Sequence, residues 1–546
     1  MEASGSSERE KSLDIDKPSL TKDVLERSVT AESVKYPSTS KVIPIMLALF
    51  ISMFLVALDR LIVATATPKI TDEFHSLNDI GWYGSAYMLT ASASQLVYGR
   101  IYTFYPAKWV FLGSILIFEI GSAVCGAAPS SIALIIGRAI AGLGTGGISA
   151  GAVIIIVFTV PLQKRPMYQG LMGAVFGIAS VLGPILGGIF TTDVTWRWCF
   201  YINLPLGGAA MVAIFFLLDV PAPKNGNWTI KQKIRQLDPL GNLFLIPGVV
   251  CLLLALEWGG STYAWANWRI IFLFILFGVL IAIFVGVEIR LGEKALVPPR
   301  IFTQRSVLAG FFWTMSTSAC MMVTLYYLPI WFQAVKNVNA EKSGIMNLPL
   351  VLSMVIGVIL SGVLVSRFGY YNPFMLLSVV LLSIGAGLLH TFQVDTGHAK
   401  WIGYQVIFGF GLGLGFQQSN IAVQTCLAPV DVPVGASLLM FSQQLNGAIF
   451  VSIAQTLFSN FLKENLEAVP GINAAQIIKA GATALREYVP ASKLSAVLSE
   501  YSNAITKTFI LAIVMACLSL GPALAMEWKS VKKDMHKKTQ ETENKA

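Results

Sequence analysis

Long stretches without charge are the feature that most limits what this chain can fold into. Many windows of about 20 residues contain no Asp, Glu, Lys or Arg, and about 20 apolar residues are enough for a helix to cross a bilayer core. Only 13% of the 546 residues are charged, whereas soluble domains have about 25%. Lipid is therefore the expected solvent. Helices are the expected elements, because open strands leave backbone groups unsatisfied in lipid.

The apolar pattern predicts an all-α integral membrane protein with fourteen spans. Their predicted ranges are 43–67, 82–104, 108–127, 133–158, 168–191, 198–218, 241–260, 268–288, 308–334, 344–365, 372–390, 402–427, 434–460 and 504–526. Lys and Arg collect in alternate loops and in the C-terminal tail. The positive-inside rule therefore places both termini in the cytoplasm.

The order of spans and loops divides the chain into successive parts. We expect a disordered cytoplasmic tail over 1–42, a six-helix bundle over 43–218, a cytoplasmic linker over 219–240, two extra membrane helices with their loop over 241–305, a second six-helix bundle over 306–526 and a basic cytoplasmic tail over 527–546. The second bundle includes a long outer loop over 461–503. Within that loop, residues 474–488 form either a short interfacial helix or a plain connection.

Composition and motifs argue against several function classes. The net charge of +9 lies in short loops and in the tails, so nucleic acid is not an expected partner. The six Cys form no CxxC pairs and the four His are scattered, so we expect no metal site. No G-x4-G-K-[ST] stretch is present. We therefore expect no nucleotide hydrolysis. We also expect no cofactor and no enzymatic activity.

A proline and three glycines interrupt the fifth predicted span, in the sequence VLGPILGG at 181–188. Proline costs about 3 kcal/mol in a helix interior, and each glycine costs about 1 kcal/mol relative to Ala. The spacing puts Ala179, Gly183 and Gly187 on one helical stripe. Such a stripe lets two backbones touch, while Pro184 bends the helix. We expect a closely packed, pliable seam between the two halves; a simple packing kink is the alternative.

Two spans place ionisable side chains deep in apolar sequence. Asp59 and Arg60 lie in the first span, and Arg138 lies several residues inside the fourth. An Arg in mid-membrane costs about 3 kcal/mol on insertion scales, so Arg138 must find a partner. Burial and a neighbouring Arg act in opposite directions on the protonation of a carboxylate. Asp59 is therefore a candidate proton carrier, and a static pair of Asp59 with Arg60 or Arg138 is the alternative.

With these motifs the chain resembles the major facilitator superfamily over about residues 43–526. The resemblance is greatest to the fungal efflux pumps of its fourteen-span drug:proton antiporter branch. The residues that match the fifth-span antiporter pattern G-x8-G-x3-G-P-x2-G-G are Gly170, Gly183, Pro184, Gly187 and Gly188. The surroundings of Asp59 and Arg138 also match family patterns. The resemblance implies the transporter fold of two six-helix bundles, here with two extra helices, and it implies export rather than import.

The resemblance extends to a loop motif that occurs once in each half. In the second half Gly362, Arg367 and Gly369 match the motif, although a serine stands where the family has an acid. In the first half only Gly99 and Lys108 match. The resemblance implies that these residues take part in conformational change.

Amides and aromatic side chains inside apolar spans predict an amphipathic substrate cavity. Buried amides without partners are costly, so they either pair across helices or line a wet cavity. The candidate cavity residues are Tyr87, Gln95, Tyr326, Trp331, Gln333, Gln417, Gln418, Asn420, Gln443, Gln444 and Asn446.

The resulting hypothesis is a proton-coupled exporter of lipophilic small organic molecules. Asp59 and Arg138 are its proton-coupling residues, and two bundles rock about a midplane cavity. The resemblance implies toxins, secondary metabolites or drugs as substrates. We expect a monomer in the cell membrane, with the vacuolar membrane as the alternative; its partners are the substrate, protons and the lipid bilayer. An importer of an iron chelate or nutrient is the second hypothesis, and a receptor or structural protein without transport is the third.

Overall fold

The computed structural model describes residues 36–76, 79–220, 236–260, 262–467 and 489–532, with the single residues 469, 472 and 486. The tails 1–35 and 533–546, most of the predicted linker and most of the candidate interfacial helix lie outside the described residues. Every long element that the structure describes is a helix. The predicted all-α membrane fold class is therefore confirmed.

The helices of the first half follow the apolar stretches closely. They are α1 (Thr39–Phe74), α2 (Ile80–Phe104), α3 (Ala107–Gly126), α4 (Ser131–Thr159), α5 (Arg165–Ile189) and α6 (Asn203–Leu217). Local sequence sets several of their ends. The Ser130 side chain accepts a hydrogen bond from the Ala133 amide at the start of α4, as expected for an N-cap.

Two further helices and the second half complete the fold. They are α7 (Pro239–Trp258), α8 (Trp268–Leu291), α9 (Arg305–Lys336), α10 (Leu348–Phe368), α11 (Asn372–His390), α12 (His398–Gly415), α13 (Gln418–Cys426), α14 (Val432–Glu467), α15 (Ala491–Leu518) and α16 (Leu520–Ala525). Asp238 caps α7, and Pro239 occupies its first turn. Gly369 ends α10 with a φ of 93°, a left-handed conformation that favours glycine.

Thirteen helical segments among the described residues are long and apolar enough to cross a membrane. Helix α2 is not one of them, although it has 25 residues. Its Gly, Ser and Thr residues, together with Gln95 and Arg100, make it more polar than the others. The chain is thus a multi-pass membrane protein, and the count of fourteen spans remains a prediction.

Two helix pairs form the largest contacts between the halves. Helix α5 of the first half packs along α10 of the second, and α2 packs along α14. The extra helices lie to one side, where α7 contacts α2 and α14 and α8 packs on α7. Only Ile270 and Glu288 are buried on α8, so this helix presents most of its surface to lipid.

The predicted outer loop over 461–503 is too long. Helix α14 continues to Glu467, and α15 already begins at Ala491. The residues 491–500 are mostly helix formers, and Val497 and Leu498 pack into the core of the second half. Because these side chains face the core, this part of the predicted loop is helical.

Candidate functional site

A buried ion pair joins α1 to α4. The Arg138 guanidinium donates to Asp59 Oδ2 at 2.5 Å, and both side chains are almost fully buried. Arg138 Nε also donates to the Tyr83 carbonyl oxygen at 2.8 Å, and the guanidinium lies 4.3 Å from the centre of the Tyr87 ring. Arg138 therefore has the partner that its depth in the membrane requires. Of the two pairs that the sequence left open, the structure forms Asp59 with Arg138.

Helix α6 extends this pair into a network that the sequence analysis missed. Asn203 donates through Nδ2 to Asp59 Oδ1 at 3.2 Å and to Ser122 Oγ at 3.1 Å. Asn203 is fully buried. The sequence signal for this network was the amide side chain of Asn203 within an apolar stretch, because a buried amide needs hydrogen-bond partners.

A second buried carboxyl group, Glu119, lies beside the network on α3. It is one turn of α3 away from Ser122, and its carboxyl group packs directly against Gly207, one turn of α6 after Asn203. Neither oxygen of Glu119 has a hydrogen-bond partner among the described residues. Its lone position in an apolar span was a signal for a functional site that the sequence analysis did not use.

Arg60, next to Asp59 in sequence, points in another direction. Successive residues of a helix diverge by about 100°, so the two side chains cannot share a face. The Arg60 guanidinium donates to Gln444 Oε1 of α14 at 3.1 Å and faces the sulfur atoms of Met88 and Met322. Arg60 therefore projects into the space between the two halves.

A central cavity of about 120 Å³ lies at this place. Its lining residues are Met53, Val56, Ala57, Arg60, Tyr87, Gln95, Thr145, Ser149, Val153, Met172, Gly173, Phe176, Thr314, Thr317, Met321, Met322, Phe416, Gln417, Asn420, Met440, Gln443 and Gln444. Both halves contribute to it. Pockets for drug-sized ligands measure about 300–1,000 Å³, so the cavity must widen before it can enclose such a molecule.

Six of the predicted cavity residues line this space: Tyr87, Gln95, Gln417, Asn420, Gln443 and Gln444. Tyr87 also connects the cavity to the ion pair, because its ring lies against Arg138 and its hydroxyl accepts a hydrogen bond from Thr145.

The other predicted cavity residues lie elsewhere, namely Tyr326, Trp331, Gln333, Gln418 and Asn446. Trp331 is buried in the core of the second half and donates to Ser502 Oγ at 3.0 Å. Gln418 and Asn446 donate to carbonyl oxygens one turn back in their own helices. The predicted cavity position is wrong for Trp331, which packs inside the core of the second half. The other four residues do not line the cavity in this conformation.

The glycines of the fifth-span pattern divide between two interfaces. A Cβ added to Gly170 would lie 2.8 Å from the Val358 carbonyl oxygen of α10, so this end of α5 forms the seam between the halves. Gly183 and Gly187 instead pack on α1, within the first half. Gly188 faces open space and Pro184 lies inside a continuous helix. The predicted seam between the halves is therefore wrong for Gly183 and Gly187, because this part of α5 faces α1. The contact between the halves lies instead at Gly170, outside the predicted stripe.

The glycines that begin the two loop motifs occupy matching positions. A Cβ added to Gly362 would lie 2.5 Å from the Pro166 carbonyl oxygen of α5. A Cβ added to Gly99 would lie 2.8 Å from Ser437 Cβ of α14. Both close contacts join the halves at the end that the loop charges predict to be cytoplasmic.

The charged residues of the loop motifs make local contacts. Lys108 lies over the Phe215 ring of α6, at 5.3 Å from its centre. The Arg367 carbonyl oxygen accepts a hydrogen bond from Lys532, and the Val531 amide donates to the Gly369 carbonyl oxygen at 2.9 Å. The start of the C-terminal tail therefore docks on the second loop motif.

Glu527 fixes this tail to the start of α9. Its Oε2 accepts hydrogen bonds from Ser306 and Gln304, both at 2.8 Å. Burial by itself would raise the pKa of Glu527, but hydrogen bonds from Ser306, Lys529 and Cys426 lower it to about 2. The carboxylate form therefore holds the tail in place.

Solved structures share this fold at low sequence identity. The human organic anion transporter MFSD10 aligns with a TM-score of 0.55 and 14% identity, covering 86% of this chain and 99% of the other. The proton:xylose symporter XylE aligns with a TM-score of 0.55 and 13% identity, covering 89% of this chain and 96% of the other. At these identities the likeness shows the fold alone.

Sequence relatives are much closer. The MFS-type efflux pump MFS1 of Trichophyton rubrum is 52% identical, over 92% of this chain and 94% of the relative. The rubrofusarin-specific efflux pump aurT of Gibberella zeae is 50% identical, over 91% of each chain. The efflux pump aflT of Aspergillus parasiticus is 48% identical, over 92% of this chain and 99% of the relative.

The family model of the Major Facilitator Superfamily matches residues 49–451. This match covers most of both halves, including Asp59, Arg138, the fifth-span pattern and both loop motifs. The chain belongs to the Major Facilitator Superfamily.

Proposed function

We propose that this protein exports lipophilic small organic molecules of the fungal secondary-metabolite class in exchange for protons. The names of relatives at about 50% identity support efflux, and one of them is named for rubrofusarin. Import of a nutrient or an iron chelate has no such support. The cell membrane is the proposed location.

One observation carries the proton coupling, namely the contact between the buried ion pair and the cavity. Tyr87 lines the cavity and also lies against Arg138, which in turn holds Asp59. If Asp59 takes up a proton, Arg138 loses its ionic partner in a dry environment, where an unpaired charge is costly. Arg138 must then find other acceptors, and the wall of the cavity shifts with it. Protonation and substrate occupancy would be linked in this way.

Moving one charge inward across 100 mV supplies about 2.3 kcal/mol, and a proton gradient adds to that. A free energy of 1.4 kcal/mol corresponds to a tenfold concentration ratio. One proton per cycle is therefore enough to accumulate substrate many-fold against its gradient.

The test is transport by the full-length protein in proteoliposomes with an imposed pH gradient. We expect Asp59→Asn to lose gradient-driven transport but to keep exchange of labelled for unlabelled substrate without a gradient. Asp193→Asn, a change of an exposed carboxylate at the end of the fifth span, is the matched control and should transport normally.

Asp59→Asn leaves Arg138 unpaired and can lower stability by about 3–5 kcal/mol. The double variant Asp59→Asn, Arg138→Gln removes both charges and should fold while remaining uncoupled. Retention of gradient-driven transport by either correctly folded variant would exclude Asp59 as the coupling residue.

A further inference from the structure

Arg60 is the one charged side chain among the described residues that line the central cavity. No Asp or Glu that the structure describes lies within 4.0 Å of its guanidinium nitrogens. The neighbouring Asp59 faces away and is bound to Arg138 and Asn203. The cavity therefore has a positive charge that the protein does not neutralise by direct contact.

The hydrogen-bonding capacity of Arg60 is also largely unused. A guanidinium group has five N–H donors and no acceptor. One donor reaches Gln444 Oε1 at 3.1 Å, while a second nitrogen faces the sulfur atoms of Met88 and Met322 at 3.9 and 3.8 Å. Thioether sulfur is a weak acceptor. An oxygen of a bound molecule would be a better partner for these donors than either sulfur.

The remainder of the wall is apolar or neutral. Val56, Phe176 and Phe416 supply apolar surface, and methionines add adaptable surface. Gln and Asn side chains supply neutral hydrogen-bonding groups. Such a wall suits an apolar body with one charged edge, because a charge in low dielectric interacts far more strongly than in water.

From this arrangement we propose that Arg60 selects substrates with an anionic oxygen, such as a carboxylate, an enolate or an ionised phenol, on an otherwise apolar ring system. The inference rests on the proposed export function and names its substrate class. The anionic oxygen binds Arg60 through a charge-assisted hydrogen bond, displacing the sulfur contacts, and the ring system lies against the apolar wall.

Equilibrium binding tests this proposal without any transport step. The probes are anthraquinone-2-carboxylate, 2-naphthoate and anthracene-9-carboxylate, each compared with its neutral methyl ester. Titration calorimetry with the purified full-length protein in detergent measures each affinity. We expect wild-type protein to bind at least one carboxylate about 10-fold or more tightly than its ester, as for a hydrogen bond to a charged group.

Three variants assign the preference to Arg60. Arg60→Gln should lose the preference for the carboxylate while keeping the affinity for the ester. Arg60→Lys retains the charge without the planar fork and should keep part of the preference. Arg269→Gln, at an exposed arginine outside the cavity, should bind like wild type.

Several results would overturn the proposal. These are equal binding of each acid and its ester by wild type, no binding of any of the carboxylates, or an unchanged preference in Arg60→Gln. Melting temperatures of all variants establish that each is folded. Because no proton gradient is present, a failure of proton-coupled export would leave the carboxylate preference intact, and the two failures are distinguishable.

Discussion

The contact between Gly362 and Pro166 provides a quantitative test of how the two halves meet. A Cβ at Gly362 would lie 2.5 Å from the Pro166 carbonyl oxygen and 3.3 Å from Gly170 Cα. Both of these atoms belong to the backbone of α5 and cannot rotate aside. Gly362→Ala therefore requires α5 and α10 to separate by roughly 1 Å to restore ordinary van der Waals contact.

Inserting one methyl group into such a contact costs about 1–3 kcal/mol. A conformation in which these helix ends are already apart does not have this cost. The gain in helix propensity from Gly to Ala is about 1 kcal/mol, but it applies equally to both conformations and cancels. The equilibrium should therefore shift about 5–150-fold towards the conformation that is open at this end.

Accessibility of the cavity from each side of the membrane measures this shift. Ser149 lines the cavity, so Ser149→Cys in a background without the native cysteines can report on labelling by an impermeant maleimide. Gly362→Ala should increase labelling from the side predicted to be cytoplasmic. Gly387→Ala is the matched control, because a Cβ at Gly387 meets nothing within 4 Å. The comparison is between Gly362→Ala and Gly387→Ala, with the maleimide added on each side of the membrane in turn. If the two variants are labelled at equal rates on each side, the inference that this contact holds the halves together is wrong.

Further predictions concern the buried acid, the tail and the core. Glu119→Gln should leave the melting temperature near that of wild type, because neither carboxyl oxygen has a hydrogen bond to lose and Gln has nearly the same size. Glu119→Ala should cost about 2 kcal/mol or more through the cavity it creates; equal destabilisation of both variants in thermal unfolding would contradict this. Since the folded pKa of Glu527 is about 2, below its ordinary 4.5, its stabilisation is complete above about pH 4.5 and is lost as the pH falls towards 2. Glu527→Gln should therefore lower the melting temperature at pH 7 and do so less at pH 3, and an equal effect at both would refute the assignment. Trp331→Phe removes the hydrogen bond to Ser502 and should lower stability without changing substrate affinity; a weakened affinity in binding assays would place Trp331 at the site after all.

The sequence predicted the helices well because lipid permits few alternatives. An apolar stretch of membrane length must satisfy its own backbone, so α3, α7 and α11 begin and end within a few residues of their predicted limits. Helix ends outside the apolar stretches were less predictable. Helix α15 begins about thirteen residues before the predicted span, because its first turns are amphipathic rather than uniformly apolar.

The candidate site was predictable in its chemistry but only partly in its geometry. The depth of Asp59 and Arg138 in apolar sequence was enough to show that each needs a partner. Asn203 and Glu119 had the same kind of signal, a polar group in an apolar span. Their connection to Asp59 could not be read from the chain, because it depends on how α3 and α6 pack against α1.

By itself, the sequence determined that this protein is a multi-pass helical membrane protein with ionisable groups that must be paired inside the bilayer. Only the tertiary structure decided that Asp59 pairs with Arg138 while Arg60 enters the cavity, and that Gly170 and Gly183 serve different interfaces. The reason is physical. Backbone hydrogen bonding and transfer to lipid are local costs that each segment must meet alone, whereas a helix has several faces, and which face meets which neighbour is set by packing between segments far apart in the chain.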